Sequence, residues 1–241
     1  MSRVRALVTG ASGIIGHAIA RKLAACDMDL ILHYHTHRAE TERLADELRG
    51  CGIDVALCGF NVGDAPATQR SLEEILETGP IQVLINNAGL FDDAPMAGMS
   101  RGQWQRVVDA CLNGFYNVTQ PLLMPMMETR WGRIISITSV SGVIGNRGQT
   151  NYAAAKAGIH AASRSLAMEI ASRGITVNCV APGIIRSAQT EKLFPPERIA
   201  QMVPARRMGE PEDVAELVAF LTSRQASYIT GQVIGINGGM A

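Results

Sequence analysis

Short apolar runs alternate with helical segments along the chain. Runs such as "RALVTG", "DLILHYH" and "IQVLINNAG" are each followed by a stretch with helical periodicity. Several runs are almost continuously apolar, which is typical of strands covered by helices on both faces. The alternation predicts βαβ units and one doubly wound, parallel α/β sheet. We expect a single domain over residues 1–241, with the irregular stretch at about 184–210 forming a lid over a site.

Composition and charge narrow the classes of function. The 241 residues include 22 basic and 22 acidic side chains, so net charge gives no reason to expect nucleic acid or an anionic membrane as a partner. No apolar run approaches the roughly 20 residues of a membrane helix, and the first residues do not resemble a signal peptide. The five cysteines contain no C-x-x-C pair, which favours free thiols in the cytoplasm over disulfides or a zinc site.

A glycine turn follows the first predicted strand. The segment "LVTGASGIIGHAIA" leads from that strand into the first helix. Free amides and the helix dipole make such a helix start a phosphate site, and Gly10, Gly13 and Gly16 would let the backbone approach a pyrophosphate. The alternative is a tight turn that needs glycine only for its backbone angles. Its position on the first βα unit favours a dinucleotide site.

Two titratable side chains lie four residues apart in "NYAAAKAG", residues 151–158. Alanine favours helix and leaves little bulk, and positions i and i+4 share a helix face. Tyr152 and Lys156 therefore lie on one side of a thin-walled helix. Alone, this pattern favours a solvated helix face with an incidental pair, so a catalytic interpretation depends on the rest of the chain.

Five ordered motifs together resemble a known family. They are "TGASGIIG", "NNAG" at 86–89, Ser139 in "ISITSVSG", "YAAAK" and "APG" at 181–183. Their order and spacing resemble the short-chain dehydrogenase/reductases nearly end to end. Within that family the chain is most similar to the 3-oxoacyl-[acyl-carrier-protein] reductases, including those of aryl polyene clusters. The resemblance implies a Rossmann fold, a homotetramer and a role in fatty acid or polyketide biosynthesis.

The resemblance also implies catalytic roles for three residues. Tyr152 would donate a proton to a ketone oxygen while the carbon receives hydride from nicotinamide. A free tyrosine titrates near pH 10, and the Lys156 ammonium would favour its phenolate and so make it a stronger acid. Lys156 would also hold the nicotinamide ribose. Ser139 would hydrogen-bond the substrate oxygen and place it for attack.

Further residues are implied as cofactor contacts by the same resemblance. They lie in the glycine turn, after the third and fourth strands, on the catalytic helix and after "APG". Asn61 and Val62 would meet the adenine, whereas Ile185 and Ser187 would meet the carboxamide. The remaining implied contacts are Gly10, Ser12, Gly13, Ile15, Asn87, Ala88, Gly89, Tyr152, Lys156, Pro182 and Gly183.

The end of the second strand bears on the choice of cofactor. Enzymes of this fold that use NAD carry an acid there, but "LILHYHTHRAE" has no acid before Glu40. Histidines and Arg38 favour a 2′-phosphate and hence NADPH, with His35 at the matching position. Two alternatives remain open. Histidines two apart on a strand share a face and can bind a metal, or the segment is simply a polar strand end.

Two positions depart from the family pattern. Ile14 stands where the fingerprint usually has glycine, which leaves the local phosphate contacts open. Cys111 stands where the family has a fourth catalytic residue, an asparagine that holds a water behind the lysine. A thiol is a poor hydrogen-bonding partner, so we expect either a relay built from backbone and water or reduced turnover. Asn113, two residues on, should point elsewhere on a helix.

The family resemblance also implies a protein partner and a substrate, and two other functions compete with them. Arg130 and Arg173 match arginines that bind an acidic acyl carrier protein in this family, although ordinary solvated arginines are the alternative. We expect reduction of 3-oxoacyl thioesters on that carrier. One rival is a reductase or dehydrogenase of free alcohols or sugars. Another is a weakly catalytic NADPH-binding partner subunit, which Cys111 keeps open.

Overall fold

The strands form one parallel sheet, which confirms the doubly wound α/β prediction. The computed structural model describes residues 3–241. Seven strands pair in the order β3-β2-β1-β4-β5-β6-β7, and every pair is parallel. The strands are β1 (Arg5–Val8), β2 (Asp29–Tyr34), β3 (Val55–Gly59), β4 (Val83–Asn86), β5 (Gly132–Ile137), β6 (Ile175–Pro182) and β7 (Val233–Ile236).

Helices connect successive strands. Short 3₁₀ turns lie at Met96–Gly98 and Ala171–Arg173, and a π-helical turn lies at Asp109–Asn113. In the described part of the chain no helix is long and apolar enough to cross a bilayer. The α-helices are α1 (Ile14–Ala25), α2 (Arg38–Arg49), α3 (Ala65–Leu76), α4 (Arg101–Val108), α5 (Gly114–Glu128), α6 (Ser141–Ile144), α7 (Thr150–Ile170), α8 (Ala188–Leu193), α9 (Pro196–Met202) and α10 (Pro211–Thr222).

Apolar side chains are buried on both faces of the sheet. On one face α1 and α10 pack over the strands, with Ile19 and Val218 fully buried. On the other face α3, α5 and α7 supply Leu72, Leu122 and Ile170. Burying such a side chain contributes about 1.5–3 kcal/mol. This two-sided cover explains why the strands are apolar runs rather than alternating patterns.

The strand order places a cleft between β1 and β4. From β1 the chain adds β2 and β3 on one side and then crosses to β4 on the other. In open α/β sheets such a switch point opens a crevice at the carboxyl ends of the strands, where ligands bind. The glycine turn follows β1 and "NNAG" ends β4, so both segments reach this crevice.

The glycine turn accommodates Ile14 without backbone strain. Gly13 is the N-cap of α1 with φ −80° and ψ 160°, and Ile14 begins the helix with ordinary angles. Gly10 has φ +64°, a conformation that favours glycine. A Cβ on Gly16 would lie 2.3 Å from the Gly10 carbonyl oxygen, so no side chain fits there. With Gly13 before Ile14, the turn still makes a close connection between β1 and α1.

Two helical stretches of the chain are interrupted. The π-helical turn separates α4 from α5. Turns of this type occur often at functional sites. The irregular stretch 184–210 contains α8 and α9, which are separated because Pro195 and Pro196 interrupt helical hydrogen bonding.

His33 is an internal structural residue. It lies on β2 with 1% of its surface exposed. Its Nδ1 accepts the Gly10 N–H at 3.1 Å, and its Nε2 lies 2.9 Å from the Phe60 carbonyl oxygen. Nε2 must therefore carry the proton. Burial is the main reason that the pKa of His33 falls to about 4, against the opposing effect of the Phe60 hydrogen bond.

We predict that His33 makes the protein acid-sensitive between pH 6.5 and pH 4. In this range the unfolded histidine binds a proton that the folded one does not, so the free energy of unfolding decreases as pH falls. The full contribution, present above pH 6.5, is about 3 kcal/mol. Urea unfolding of wild type and His33→Asn across this range measures it. The variant should show a shallower slope, and equal slopes would contradict this role.

Candidate active site

Segments far apart in sequence converge at the carboxyl edge of the sheet. Asn86 ends β4, Ser139 follows β5 and Pro182 ends β6. The Pro182 carbonyl oxygen accepts the Val140 N–H at 2.8 Å, which joins the end of β6 to the turn that carries Ser139. Because all the strands are parallel, these segments share an edge with the glycine turn.

Lys156 lies beneath the ring of Tyr152. Both side chains project from α7, and the Lys156 Nζ is 5.4 Å from the centre of the Tyr152 ring. Lys156 is 3% exposed and donates to the Ile137 carbonyl oxygen at 2.9 Å. Tyr152 is half-buried and faces the cleft less deeply. The predicted helix face is therefore a buried ammonium under a partly accessible phenol, not a solvated pair.

The environment of Lys156 keeps it charged. Burial by itself lowers the pKa of this ammonium. The interactions with Tyr152, and then with Cys111 and Cys179, outweigh burial and raise the pKa above its ordinary value. This buried positive charge lies next to the Tyr152 ring.

Asn151 fixes the start of α7. Its side chain is fully buried. The Nδ2 group donates to the carbonyl oxygens of Asp92 and Gln103 at 3.1 and 3.3 Å, and Oδ1 accepts the Tyr152 N–H at 2.8 Å. This residue joins the helix that carries Tyr152 to the segment after β4. Its role escaped sequence reasoning because an asparagine before an alanine-rich helix has no distinctive pattern.

Ser139 lies in a turn that packs directly on α7. Its Oγ accepts the Ser141 N–H at 3.1 Å. A Cβ on Gly142 would lie 2.9 Å from the Lys156 Cβ, so glycine permits this close approach. Ser139, Tyr152 and Lys156 are thus carried by two elements in direct contact.

The "NNAG" segment is hydrogen-bonded to the glycine turn. The Asn87 Nδ2 donates to the carbonyl oxygens of Thr9 and Gly10 at 2.9 and 3.0 Å. The Thr9 Oγ1 accepts the N–H groups of Asn87 and Ala88 at 2.9 Å. A Cβ on Gly89 would lie 3.5 Å from the Lys156 Nζ. The Asn87 side chain therefore shapes the cleft, and the backbone of Gly89 forms its surface near the ammonium.

The cleft has the features that a dinucleotide requires. The first N–H groups of α1 have no partner within the helix, and helix geometry directs them outward, as an anion site needs. Gly13 is exposed and Ser12 partly exposed at this end, while Ile15 packs against the core below. The residues present thus fit a pyrophosphate above the glycine turn.

The end of β2 is open and lacks an acid. His35 and Arg38 are exposed, whereas His33 is buried and committed to the glycine turn. Among residues 3–241 no group of three or more His, Cys, Asp or Glu side chains is arranged to hold a metal ion. The exposed side chains of His35 and Arg38 could therefore contact a ligand group bound near the end of β2.

The turn after β3 completes this side of the cleft. Asn61 is exposed, and its Oδ1 accepts the Gly63 N–H at 3.0 Å. Val62 is buried, and its carbonyl oxygen accepts from the Asn117 Nδ2 at 2.9 Å. Val62 therefore anchors the turn on α5 and leaves Asn61 at the surface of the cleft.

The base of the predicted lid is ordered by specific contacts. Gly183 donates to the Ile236 carbonyl oxygen at 3.1 Å, which joins the base to β7. Ile185 is buried and pairs with Gly209. The Ser187 Oγ accepts the Thr190 N–H at 3.0 Å at the start of α8. The pairing of Ile185 with Gly209 thus brings the two ends of the stretch together.

The segments after β4 and after β5 carry an apolar mouth. We use this term for the exposed side chains of Leu90, Phe91, Val143 and Ile144. The Phe91 ring meets the Tyr152 ring edge-on, with 6.5 Å between centres. The segment that carries Phe91 is held by ion pairing of Asp92 with Arg106 and by a hydrogen bond between Asp93 and Gln149. In the sequence, Leu90 and Phe91 directly after "NNAG" were the signal that could have indicated this apolar surface.

Cys111 lies behind Lys156 in the π-helical turn. Its side chain is 2% exposed, and its Sγ lies 3.5 Å from the Leu90 carbonyl oxygen. A cavity of about 10 Å³ is lined by Cys111, Lys156 and Asn86, among others, and has room for about one water. Asn113 is exposed and donates to Asp109 at 2.7 Å, so it points away from the lysine.

Arg130 and Arg173 lie at the opposite edge of the sheet. Arg130 precedes β5, and Arg173 precedes β6 at the far end of α7. A Cβ on Gly174 would lie 2.5 Å from the Arg130 carbonyl oxygen, so the two turns touch. Along α7, Tyr152 and Arg173 are about 30 Å apart. The structure places these arginines near each other but away from the phenol.

Comparison with known proteins agrees with this arrangement. The chain matches a family model described as enoyl-(acyl carrier protein) reductase over residues 10–241. It is 44% identical to 3-oxoacyl-[acyl-carrier-protein] reductase FabG of Aggregatibacter actinomycetemcomitans, covering 97% of this chain and 98% of the relative.

Two further relatives match with similar coverage. Nodulation protein G of Rhizobium sp. (strain N33) is 48% identical, over 98% of this chain and 96% of the relative. The FabG reductase of Staphylococcus aureus (strain Mu50 / ATCC 700699) is 41% identical, over 98% of this chain and 97% of the relative. With a family model and relatives matched over nearly its whole length, this chain belongs to the short-chain dehydrogenase/reductase family.

Proposed function

We propose that the protein is an NADPH-dependent reductase of 3-oxoacyl thioesters on an acyl carrier protein. The observation that carries this proposal is the buried Lys156 ammonium beneath the Tyr152 ring. Both side chains lie at the carboxyl edge of the sheet, which the glycine turn also reaches. Two relatives named 3-oxoacyl-[acyl-carrier-protein] reductase are more than 40% identical over nearly the full chain. The narrower prediction, that the protein is a reductase of the aryl polyene cluster type, rests on sequence resemblance.

The geometry supports a proton-transfer role for Tyr152. NADPH, when bound, supplies the hydride that reduces the ketone carbon. Tyr152 donates its proton to the ketone oxygen, so the carbonyl becomes a hydroxyl and the phenol becomes a phenolate. Lys156 stabilises that phenolate through its nearby positive charge. Ser139 hydrogen-bonds the oxygen and orients it toward the phenol.

The proposed cofactor contacts divide along the cleft. Gly10, Ser12, Gly13 and Ile15 would form the pyrophosphate end through backbone and turn geometry. Asn61 and Val62 would border the adenine. The nicotinamide end would be formed by Asn87, Ala88, Gly89, Tyr152, Lys156, Pro182, Gly183, Ile185 and Ser187.

The apolar mouth supports an acyl substrate. Phe91, Val143 and Ile144 each expose more than half of their surface, and the Phe91 ring meets the Tyr152 ring. An acyl chain would cover these groups and release the water that contacts them. A polyol offers little apolar surface for the same contact. The exposed apolar surface therefore favours the acyl thioester over a free sugar as substrate.

We propose that the α8–α9 segment forms a lid over the apolar mouth.

Carrier-protein docking at Arg130 and Arg173 would require a second copy of the chain. The distance of about 30 Å between Arg173 and Tyr152 exceeds the reach of a pantetheine-length arm. A carrier bound to these arginines would therefore deliver its thioester to the active site of another subunit. This arrangement is consistent with the homotetramer expected from family resemblance.

We predict that Tyr152→Phe lowers the turnover of acetoacetyl-CoA by about 10²- to 10⁴-fold, because a general acid is lost. The rate is measured as NADPH absorbance decay, and the NADPH dissociation constant by fluorescence. Tyr228→Phe is the matched control, since Tyr228 is 99% exposed and outside the cleft. Undiminished reduction by Tyr152→Phe would contradict the mechanism.

The same assay separates the rival functions. NADPH binding by wild type without measurable consumption would favour the weakly catalytic partner subunit. Reduction of small sugars but not of acetoacetyl-CoA would favour the other enzyme class.

We predict that Cys111→Asn preserves or increases turnover. An amide beside the one-water cavity can both donate and accept hydrogen bonds, whereas a thiol does so weakly. Steady-state kcat measures the effect, with Cys26→Asn at an exposed cysteine as the control. A large loss of kcat in a folded Cys111→Asn protein would show that the thiol has a role of its own.

We predict that NADPH affinity weakens from pH 6 to pH 8 more than NADH affinity does. A histidine loses its charge in this interval, and only NADPH carries the 2′-phosphate that the charge would attract. The difference should be about two- to fivefold, as for an exposed ion pair. His35→Asn should remove it in fluorescence titrations. Parallel pH dependence for both cofactors in wild type would exclude histidine as the phosphate ligand.

A further inference from the structure

A third polar side chain lies on the catalytic face of α7. His160 follows Tyr152 and Lys156 at the next four-residue step, so the three share one side of the helix. It is 7% exposed, and its Nε2 lies 2.9 Å from the Thr138 Oγ1. The proposed reaction makes no direct use of this imidazole.

The direction of this hydrogen bond follows from the second partner of Thr138. The Thr138 Oγ1 donates its single proton to the Val180 carbonyl oxygen at 3.0 Å. It must therefore accept from His160, and the imidazole proton is on Nε2. Thr138 thus connects α7 to β6 through one hydroxyl group.

His160 and Lys156 bind consecutive residues of the same segment. Lys156 donates to the Ile137 carbonyl oxygen, and His160 donates to the Thr138 side chain. The next residue is Ser139. A Cβ on Gly142 would lie 3.1 Å from the His160 Cε1, so the turn after Ser139 also rests on the imidazole.

His160 is neutral at neutral pH. Burial is the largest cause that lowers the pKa of His160, and the positive charges of Arg164 and Lys156 lower it further. The Nε2 donor is present in this form. A neutral side chain at this position holds the turn without placing a second positive charge beside Lys156.

We propose that His160 is a positioning residue, which through Thr138 fixes Ser139 relative to Tyr152. The proposal rests on the catalytic roles proposed above for Ser139 and Tyr152. His160 does not touch the reacting atoms in this account. Its effect is to limit the movement of the β5–α6 turn, because the imidazole and the ammonium bind adjacent residues of that turn.

The test compares variants that keep or remove the hydrogen bond. Thr138→Val and His160→Leu remove it, whereas Thr138→Ser and His160→Gln keep a hydroxyl or an N–H donor at the same place. We expect the first pair to lower kcat for acetoacetyl-CoA by about ten- to a hundredfold, as for a misplaced reacting group. The NADPH dissociation constant should stay unchanged, and the second pair should recover most of kcat.

A double variant distinguishes this role from general packing. Thr138→Val combined with His160→Leu should lose no more kcat than either single variant, because both break one interaction. Additive losses, or wild-type kcat in Thr138→Val, would overturn the proposal. If His160→Leu does not fold, the comparison of Thr138→Val with Thr138→Ser decides the result.

A nitrogen-15 NMR spectrum of the histidines separates this proposal from the proposed function. A hydrogen-bonded Nε2–H proton of His160 is expected in wild type and should shift in Thr138→Val. A wild type with the proton on Nδ1 would overturn the positioning role whatever the activity. Failure of wild type to reduce acetoacetyl-CoA with this NMR signal intact would overturn the proposed function alone.

Discussion

A buried ammonium determines the arrangement of the site. Lys156 is almost fully enclosed, and an enclosed charge is costly unless polar partners surround it. The Ile137 carbonyl oxygen is one such partner, and the face of the Tyr152 ring is another. The end of β5, the start of α7 and the segment after β4 must therefore stay close together. The remaining contacts of the site serve this requirement.

Side-chain hydrogen bonds hold the segments of the site together. His33 and Asn87 both bind the glycine turn, while Asn151 and His160 hold the two ends of the catalytic segment. Of these side chains, His33, Asn151 and His160 are buried. A cleft built in this way is ordered before any substrate arrives, which lowers the entropic cost of binding. The exposed groups can then be few: Tyr152, the apolar mouth and the end of β2.

The sheet could be predicted from the sequence because strands buried on both faces appear as continuous apolar runs. Sequence reasoning also predicted that Tyr152 and Lys156 share a helix face, since helix periodicity alone determines this. It did not predict the π-helical turn, which has no clear sequence signature. It grouped His33 with the other histidines of "LILHYHTHRAE" as a source of positive charge for a 2′-phosphate, but the structure buries His33 and exposes His35. His160 was missed because its partner lies 22 residues away on another element.

If the Lys156 ammonium and the Tyr152 phenol face one reacting centre, a crystal structure of the protein with NADP⁺ will show it. We expect the nicotinamide ring beside Tyr152, with its ribose hydroxyls within hydrogen-bonding distance of the Lys156 Nζ. A nicotinamide bound elsewhere, with Lys156 contacting only protein groups, would show that the two side chains do not serve one reacting centre.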